Sequence, residues 1–372
     1  MSSRARWRRY LPALAVLLAL PGAHPARADG VTNAVNADGT VHIKDMDVPL
    51  SVYLSPQAKA ALLDRFAHPI PMPKISIADM SKPGPELTKW RADMDEAIFK
   101  PTVEKLKQLY PVTIEETRLA GVEVAIVSPK GGVANGHRIL INLHGGGFLI
   151  GGLLSGEGEA IPIAGLGKIT VVTVNYRQAP EFRYPAATED VVAVYRELLK
   201  KYPAKNIGIY GCSAGGRLSG ETVASLDKAK IPLPGAIGIL CASAGLVNGD
   251  SIYTGAALTG GHVPAPMGPE GSAVPSPYFA GVKPDDAGAY PVNSPALLAK
   301  FPPTLLITGS RDFEMSSAVF THTQLVKAGV DAELHVWEGL GHGFFGEFPE
   351  IPESIDALNV IVRFFDKRLG AE

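Results

Sequence analysis

The chain has 372 residues, 46% hydrophobic and 19% charged, with Lys+Arg 35 against Asp+Glu 37 and a formal net charge of −2. That length and apolar fraction allow one large domain with a substantial core, or one domain with a lid. The balanced charge excludes a basic field of the kind that gathers nucleic acid or an anionic membrane surface.

The first residues are set apart from the fold. Arg4, Arg6, Arg8 and Arg9 precede an apolar run over 11–20 that is too short to span a bilayer, and Ala26-Arg27-Ala28 is a small-x-small cleavage site. Residues 1–28 therefore read as an export signal, with the mature chain starting at Asp29 in the periplasm or outside the cell and no stable membrane insertion after removal. A retained anchor is the alternative. Cys212 and Cys241 are the only cysteines. They fall at the ends of neighbouring predicted strands, which leaves a bridge or two buried free thiols open. No Cys-x-x-Cys or His-Glu-x-x-His spacing points to a metal.

In chain order, residues 29–110 are interrupted by Pro69, Pro71 and Pro73, with helical signals over 87–109 that Pro101 divides. Such a segment often packs over a site rather than into the main sheet. A hairpin is predicted from 113–119 and 122–127 around Ala120-Gly121. Strands follow at 138–143, 169–174 and 206–210, a helix at 187–201, another at 217–226, and a strand at 236–241. Residues 248–300, rich in Gly, Pro and Ser, read as an insertion, either a cap or a long loop. Alternation resumes with strand 304–308, helix 316–328, strand 333–336 and helix 355–369, whose Ile355, Leu358, Val362 and Phe365 share a face. Strands alternating with helices predict an α/β fold with a parallel sheet covered on both faces over 111–372.

The chemistry sits in the turns. Gly211-Cys212-Ser213-Ala214-Gly215 joins a predicted strand to a predicted helix. A nucleophile on such a turn stands clear of the sheet, and the flanking Gly211 and Gly215 approach too closely to carry side chains. The Ala214 amide then lies at a helix N-terminus beneath any developing negative charge. His144-Gly145-Gly146-Gly147-Phe148 ends an earlier strand, and the amides of Gly145, Gly146 and Gly147 can converge on an oxyanion because side chains are absent. His342, after the last predicted strand, is the candidate base, and Asp312, after strand 304–308, the candidate acid, with Glu314 and Asp331 as rivals. Gly341-His342-Gly343-Phe344-Phe345-Gly346 fits a dinucleotide spacing, but no βαβ unit follows it. Arg177 with Glu189-Asp190 reads as a structural brace under the site.

On these motifs the chain resembles the hormone-sensitive lipase-like branch of α/β-hydrolase serine carboxylesterases. The likeness runs from about residue 110 to the C-terminus and includes Tyr176-Arg177-x-Ala179-Pro180. It implies an eight-stranded, mostly parallel sheet, and a cap built from the N-terminal segment and the 248–300 insertion. It implies hydrolysis of a small-molecule ester by Ser213, His342 and Asp312 without a cofactor, with Gly146, Gly147 and Ala214 donating to the oxyanion and His144 bracing the loop. Three positions depart from the family pattern: Cys212 replaces an Asp, Asp312-Phe313-Glu314 replaces Asp-Pro-Leu, and Gly341 replaces a Pro. An amidase, lactonase or deacetylase would use the same triad, and a non-catalytic ligand-binding protein would use the same fold.

Overall fold

The computed structural model describes residues 47–259 and 276–370, and a short strand pair, Ala34–Val35 with Val41–His42, in a separate unit that ends at Pro49. The expected signal at 1–28 and the centre of the 248–300 insertion lie outside the described residues. Among the described residues, no helix is long and apolar enough to cross a membrane.

Eight strands make one sheet. They are β1 (Val112–Leu119), β2 (Val122–Pro129), β3 (Ile139–Leu143), β4 (Thr170–Val174), β5 (Ile207–Cys212), β6 (Ala236–Leu240), β7 (Thr304–Gly309) and β8 (Ala332–Trp337). Their spatial order is β8-β7-β6-β5-β3-β4-β2-β1. Strands β3 to β8 pair parallel, and β2 runs antiparallel to both β1 and β4. Strands β3, β5, β6 and β7 are buried along their whole length, as continuous apolar runs covered on both faces must be. β1 and β8, at the edges, alternate or stay half-exposed. The mostly parallel eight-stranded sheet is thus the one expected.

Among the described residues, three helices of ten residues or more precede the sheet. α1 (Pro56–Ala67) starts at Ser55, whose Oγ accepts from the Ala58 N–H at 3.0 Å. Glu353 receives both the Ser55 N–H and the Ser55 hydroxyl, tying this start to the last helix of the chain. α2 (Pro85–Met94) and α3 (Lys100–Leu109) are not split at Pro101 as the sequence predicts. They instead run on through a single π-helical turn, Asp95–Phe99. A widened turn absorbs the missing proline N–H that would otherwise break the ladder. Arg91 anchors α2 by donating to Leu149 O (2.7 Å), Ala179 O (2.6 Å) and the Glu181 carboxylate.

Within the domain, α4 (Leu153–Gly167) follows β3, α5 (Ala186–Leu199) follows β4, and α6 (Ala214–Lys228) follows β5. Of these, α4 has no counterpart among the predicted elements. Its sequence, LLSGEGEAIPIAGLG, carries four glycines and Pro162, all poor helix formers. Gly156 is there for contact: a Cβ on it would lie 1.8 Å from Thr173 Oγ1 of β4. The helix lies flush on the sheet because it is smooth.

The 248–300 segment divides. α7 (Ser251–Leu258) leads to Thr259, which reaches the cavity described below. Residues 276–300, by contrast, join the main core. Tyr278 stacks on Phe148 at 4.4 Å, Phe279 meets the same ring edge-on at 5.3 Å, and the Arg217 guanidinium of α6 lies 4.0 Å above Phe279. That half braces the loop after β3 from behind instead of covering the site. α8 (Met315–Lys327) and α9 (Pro352–Arg368) complete the fold.

Candidate active site

Ser213 sits between β5 and α6 with φ 57 and ψ −121. A backbone forced there costs about 1–3 kcal/mol and persists only where its surroundings dictate it. Here the Ser213 N–H is held by Leu240 O of β6 at 2.8 Å, and its carbonyl accepts the Arg217 N–H at 3.1 Å. The turn is so tight that a Cβ on Gly215 would lie 1.6 Å from Leu143 O, and one on Gly211 2.1 Å from the same oxygen. Ala214 is the first residue of α6, so its N–H has no partner within the helix.

His342 and Asp312 come together: His342 Nδ1 lies 2.8 Å from Asp312 Oδ1. Asp312 is fully buried. It also accepts the Glu314 N–H (2.9 Å) on Oδ1 and the Thr308 hydroxyl (2.9 Å) on Oδ2. Burial opposes its ionisation, but the His342 charge and these hydrogen bonds outweigh it and hold the carboxyl below the usual range. Burial likewise opposes a charged imidazole, yet the Asp312 charge and hydrogen bond carry His342 up to about 9. The rivals separate on physical grounds. Glu314 is pushed up to about 7, first by burial and then by the neighbouring Asp312, and it is Asp312, not Glu314, that His342 Nδ1 meets. Asp331 pairs with Arg368 at 2.7 Å and sits at the start of β8, opposite the end that carries the site.

His144 packs against the glycine loop that it begins. It is fully buried, its ring stacks on Tyr176 at 4.2 Å, its Nδ1 lies 2.7 Å from Gly145 O, and its own carbonyl accepts the Tyr176 hydroxyl at 2.6 Å. Burial pulls its imidazole down to about 4, so it acts as a neutral donor. One expectation is corrected. The Gly145 N–H donates to Glu159 Oε1 of α4 at 2.7 Å and is therefore withdrawn from the oxyanion set. The N–H groups of Gly146 and Gly147 meet no acceptor among the described residues. Glu159 also accepts from Asn142 Nδ2 (3.0 Å) and from the Cys212 N–H (3.3 Å), both on Oε2. Burial pushes its carboxyl up to about 7 against the pull of those three bonds. No sequence signal marks this residue, because none marks the helix that carries it.

Arg177 braces as expected, with Nε on Asp190 at 2.9 Å and a terminal nitrogen on Glu189 at 2.9 Å. Cys212 and Cys241 are free thiols, and Cys241 Sγ accepts the Gly343 N–H at 3.2 Å, fixing the loop that carries His342. Among the described residues, one cluster offers metal-ligand chemistry: Cys241, Asp312 and His342, with donor atoms within 4.8 Å of one another. Asp312 and His342 already bond to each other there, and Cys241 to the loop.

Ser213, His342 and Gly145 to Gly147 line one cavity of about 840 Å³. The N-terminal segment supplies Phe66, Ile70, Met72, Ile98 and Phe99 to its wall, and α4 and α9 supply Pro162, Ile163, Leu358 and Ile361. Its size lies within the roughly 300–1,000 Å³ of small-molecule sites.

A family model described as an alpha/beta hydrolase fold matches residues 140–346. The chain belongs to this family. An acetyl-hydrolase of Streptomyces hygroscopicus is 30% identical over 237 residues, 63% of this chain and 77% of that protein. The crystal structure of esterase E25 superposes with a TM-score of 0.72 at 30% identity, covering 88% of this chain and 98% of the other. An esterase of the bacterial hormone-sensitive lipase family superposes with a TM-score of 0.66 at 26% identity, covering 85% and 99%. The chain is a hormone-sensitive lipase-like α/β-hydrolase esterase.

Proposed function

We propose that this esterase cleaves carboxylic esters of small to medium acyl groups through a covalent acyl-enzyme on Ser213. The reading is carried by the 2.8 Å contact between His342 Nδ1 and Asp312 in the wall of the cavity that also holds Ser213. His342 Nε2 takes the Ser213 proton as Oγ attacks the ester carbonyl. The N–H groups of Gly146, Gly147 and Ala214 receive the oxyanion. The alcohol leaves with the proton returned by His342. Water then gives a proton to His342, attacks the acyl carbon and releases the acid, restoring Ser213.

The apolar wall built by Ile70, Met72, Ile98, Pro162 and Ile361 favours an acyl group longer than acetyl, and the cavity is too small for a macromolecular substrate to enter. The test is hydrolysis of 4-nitrophenyl esters with acyl chains from two to twelve carbons by the wild type and by Ser213→Ala. Activity that disappears in the variant and peaks at intermediate chain length supports the reading. Equal rates in both proteins overturn it.

A further inference from the structure

The glycine loop and the nucleophile turn belong to different strands, β3 and β5, and no covalent link sets the distance between them. An oxyanion hole assembled from the amides of both works only if that distance is held to a fraction of an ångström. β3 and β5 pair as far as Leu143 and Gly211, and beyond that pairing a side chain of α4 spans the gap. Glu159 projects from α4 and receives the Gly145 N–H at 2.7 Å on one oxygen and the Cys212 N–H at 3.3 Å on the other. The first belongs to the residue before the Gly146 and Gly147 amides, the second to the residue before Ser213. Asn142 Nδ2, at the end of β3, donates to the second oxygen at 3.0 Å, and Asn142 Oδ1 accepts the Thr173 hydroxyl of β4 at 2.9 Å. Gly145 can come this close because it lacks a Cβ, which would lie 3.2 Å from Cys212 O and 3.5 Å from Ser213 Cβ. The Glu159 backbone is held as well, its carbonyl accepting the Tyr210 hydroxyl of β5 at 3.3 Å.

We infer that Glu159 is a positioning residue that clamps the Gly145–Gly147 loop to the Ser213 turn and so sets the geometry of the oxyanion hole, an inference that rests on the acyl-enzyme reading above. The chemistry asks for a carboxylate. Three N–H donors converge on two oxygens, and a carboxylate offers lone pairs only. A glutamine of the same shape satisfies Gly145 with its oxygen but turns its NH₂ toward the Cys212 N–H and Asn142 Nδ2, donor against donor. Glu159 borders the cavity, but both of its oxygens are turned to these three N–H groups, so its loss acts chiefly on the transition state through the loop it holds.

The experiment compares wild type, Glu159→Gln and the double variant Glu159→Gln/Asn142→Asp, in which the new carboxylate at position 142 accepts from the new amide at position 159. Each is measured for kcat and KM on the best 4-nitrophenyl ester, for inhibition by a trifluoromethyl ketone, and for Tm. The ketone forms a tetrahedral adduct on Ser213 whose oxyanion occupies the hole. The expected result is a fall in kcat of about 10²-fold in Glu159→Gln, the size seen for one lost oxyanion donor. A comparable loss of ketone affinity should accompany it, with KM unchanged and both losses partly recovered in the double variant. Wild-type kcat and ketone affinity in Glu159→Gln overturn the inference. So does a rise in KM with a fall in Tm that the double variant fails to repair, which marks a merely structural role. Ser213→Ala is run beside them: Ser213-independent hydrolysis by the wild type discredits the acyl-enzyme reading itself.

Discussion

Two helices of this domain meet at the same site and are made in opposite ways. α6 begins at the Ser213 turn, and the glycines before and after that serine are demanded by backbone: Gly215 lies against Leu143 O. α4 begins beyond the glycine loop, and its Gly156 is demanded by a side chain on the sheet, Thr173, whose Oγ1 it lies against. The first constraint is local in sequence and recurs as a motif. The second depends on which strand happens to lie beneath the helix, and nothing near residue 156 announces it. Yet both helices deliver groups to the same few ångströms, α6 the Ala214 amide and α4 the Glu159 carboxylate.

The largest effect expected from breaking this comparison falls on the α6 side. Ser213→Ala should cut kcat by about 10⁶-fold, as loss of a triad serine does, with Tm close to wild type. Next is the backbone constraint itself. Gly215→Ala puts a methyl on a carbonyl oxygen that no rotamer change can move, and it should destabilise the fold by more than about 3 kcal/mol in denaturant titration. Gly156→Ala should cost about 1–3 kcal/mol as an overpacking substitution, and Thr173→Ala in the same chain should recover part of it, because the obstacle there is a side chain. Rescue of Gly215→Ala by any neighbouring truncation would erase the distinction between the two helices.

The titration of the site gives a further test. His342 must be neutral to take a proton, and its value is raised to about 9, so kcat/KM should climb with pH on a limb ending near there. A plateau already reached at pH 7 would mean that burial outweighs the Asp312 charge in setting the His342 value. The pair also sets a stability window. The share due to His342 is full below its ordinary value and is lost as pH rises through about 9, whereas the share due to Asp312 is lost as pH falls through its lowered carboxyl value. The smallest effect is expected at Gly158, which lines the cavity and whose added Cβ would meet only Thr102 Cγ2 at 3.9 Å. Gly158→Ala should raise stability by up to about 1 kcal/mol, the helix-propensity gain. It should also trim the rate on the longest acyl esters relative to acetate.

Much of the site is legible in the sequence. Ser213, His342 and Asp312 stand at predicted strand ends, and the glycines around the nucleophile and on the oxyanion loop mark where backbone approaches backbone. The choice between Asp312 and Glu314 is open in sequence, two residues apart on one loop. Burial and hydrogen bonding separate them, one carboxyl held charged by His342 and the other driven toward neutrality. The hairpin, the parallel strands and the last helix follow from periodicity because apolar burial acts residue by residue.

What sequence alone determined is therefore the order of strands and turns, and it named the candidate reacting groups, since those rest on local sterics and on a pattern of apolar faces. Tertiary structure decided three things: that a glycine-rich, proline-containing stretch is the helix α4, that 276–300 joins the core behind Phe148, and that the Gly145 amide is spent on Glu159 rather than on substrate. Each is a contact between segments that lie on different elements, and its energy appears only once β3, β4 and β5 are packed together.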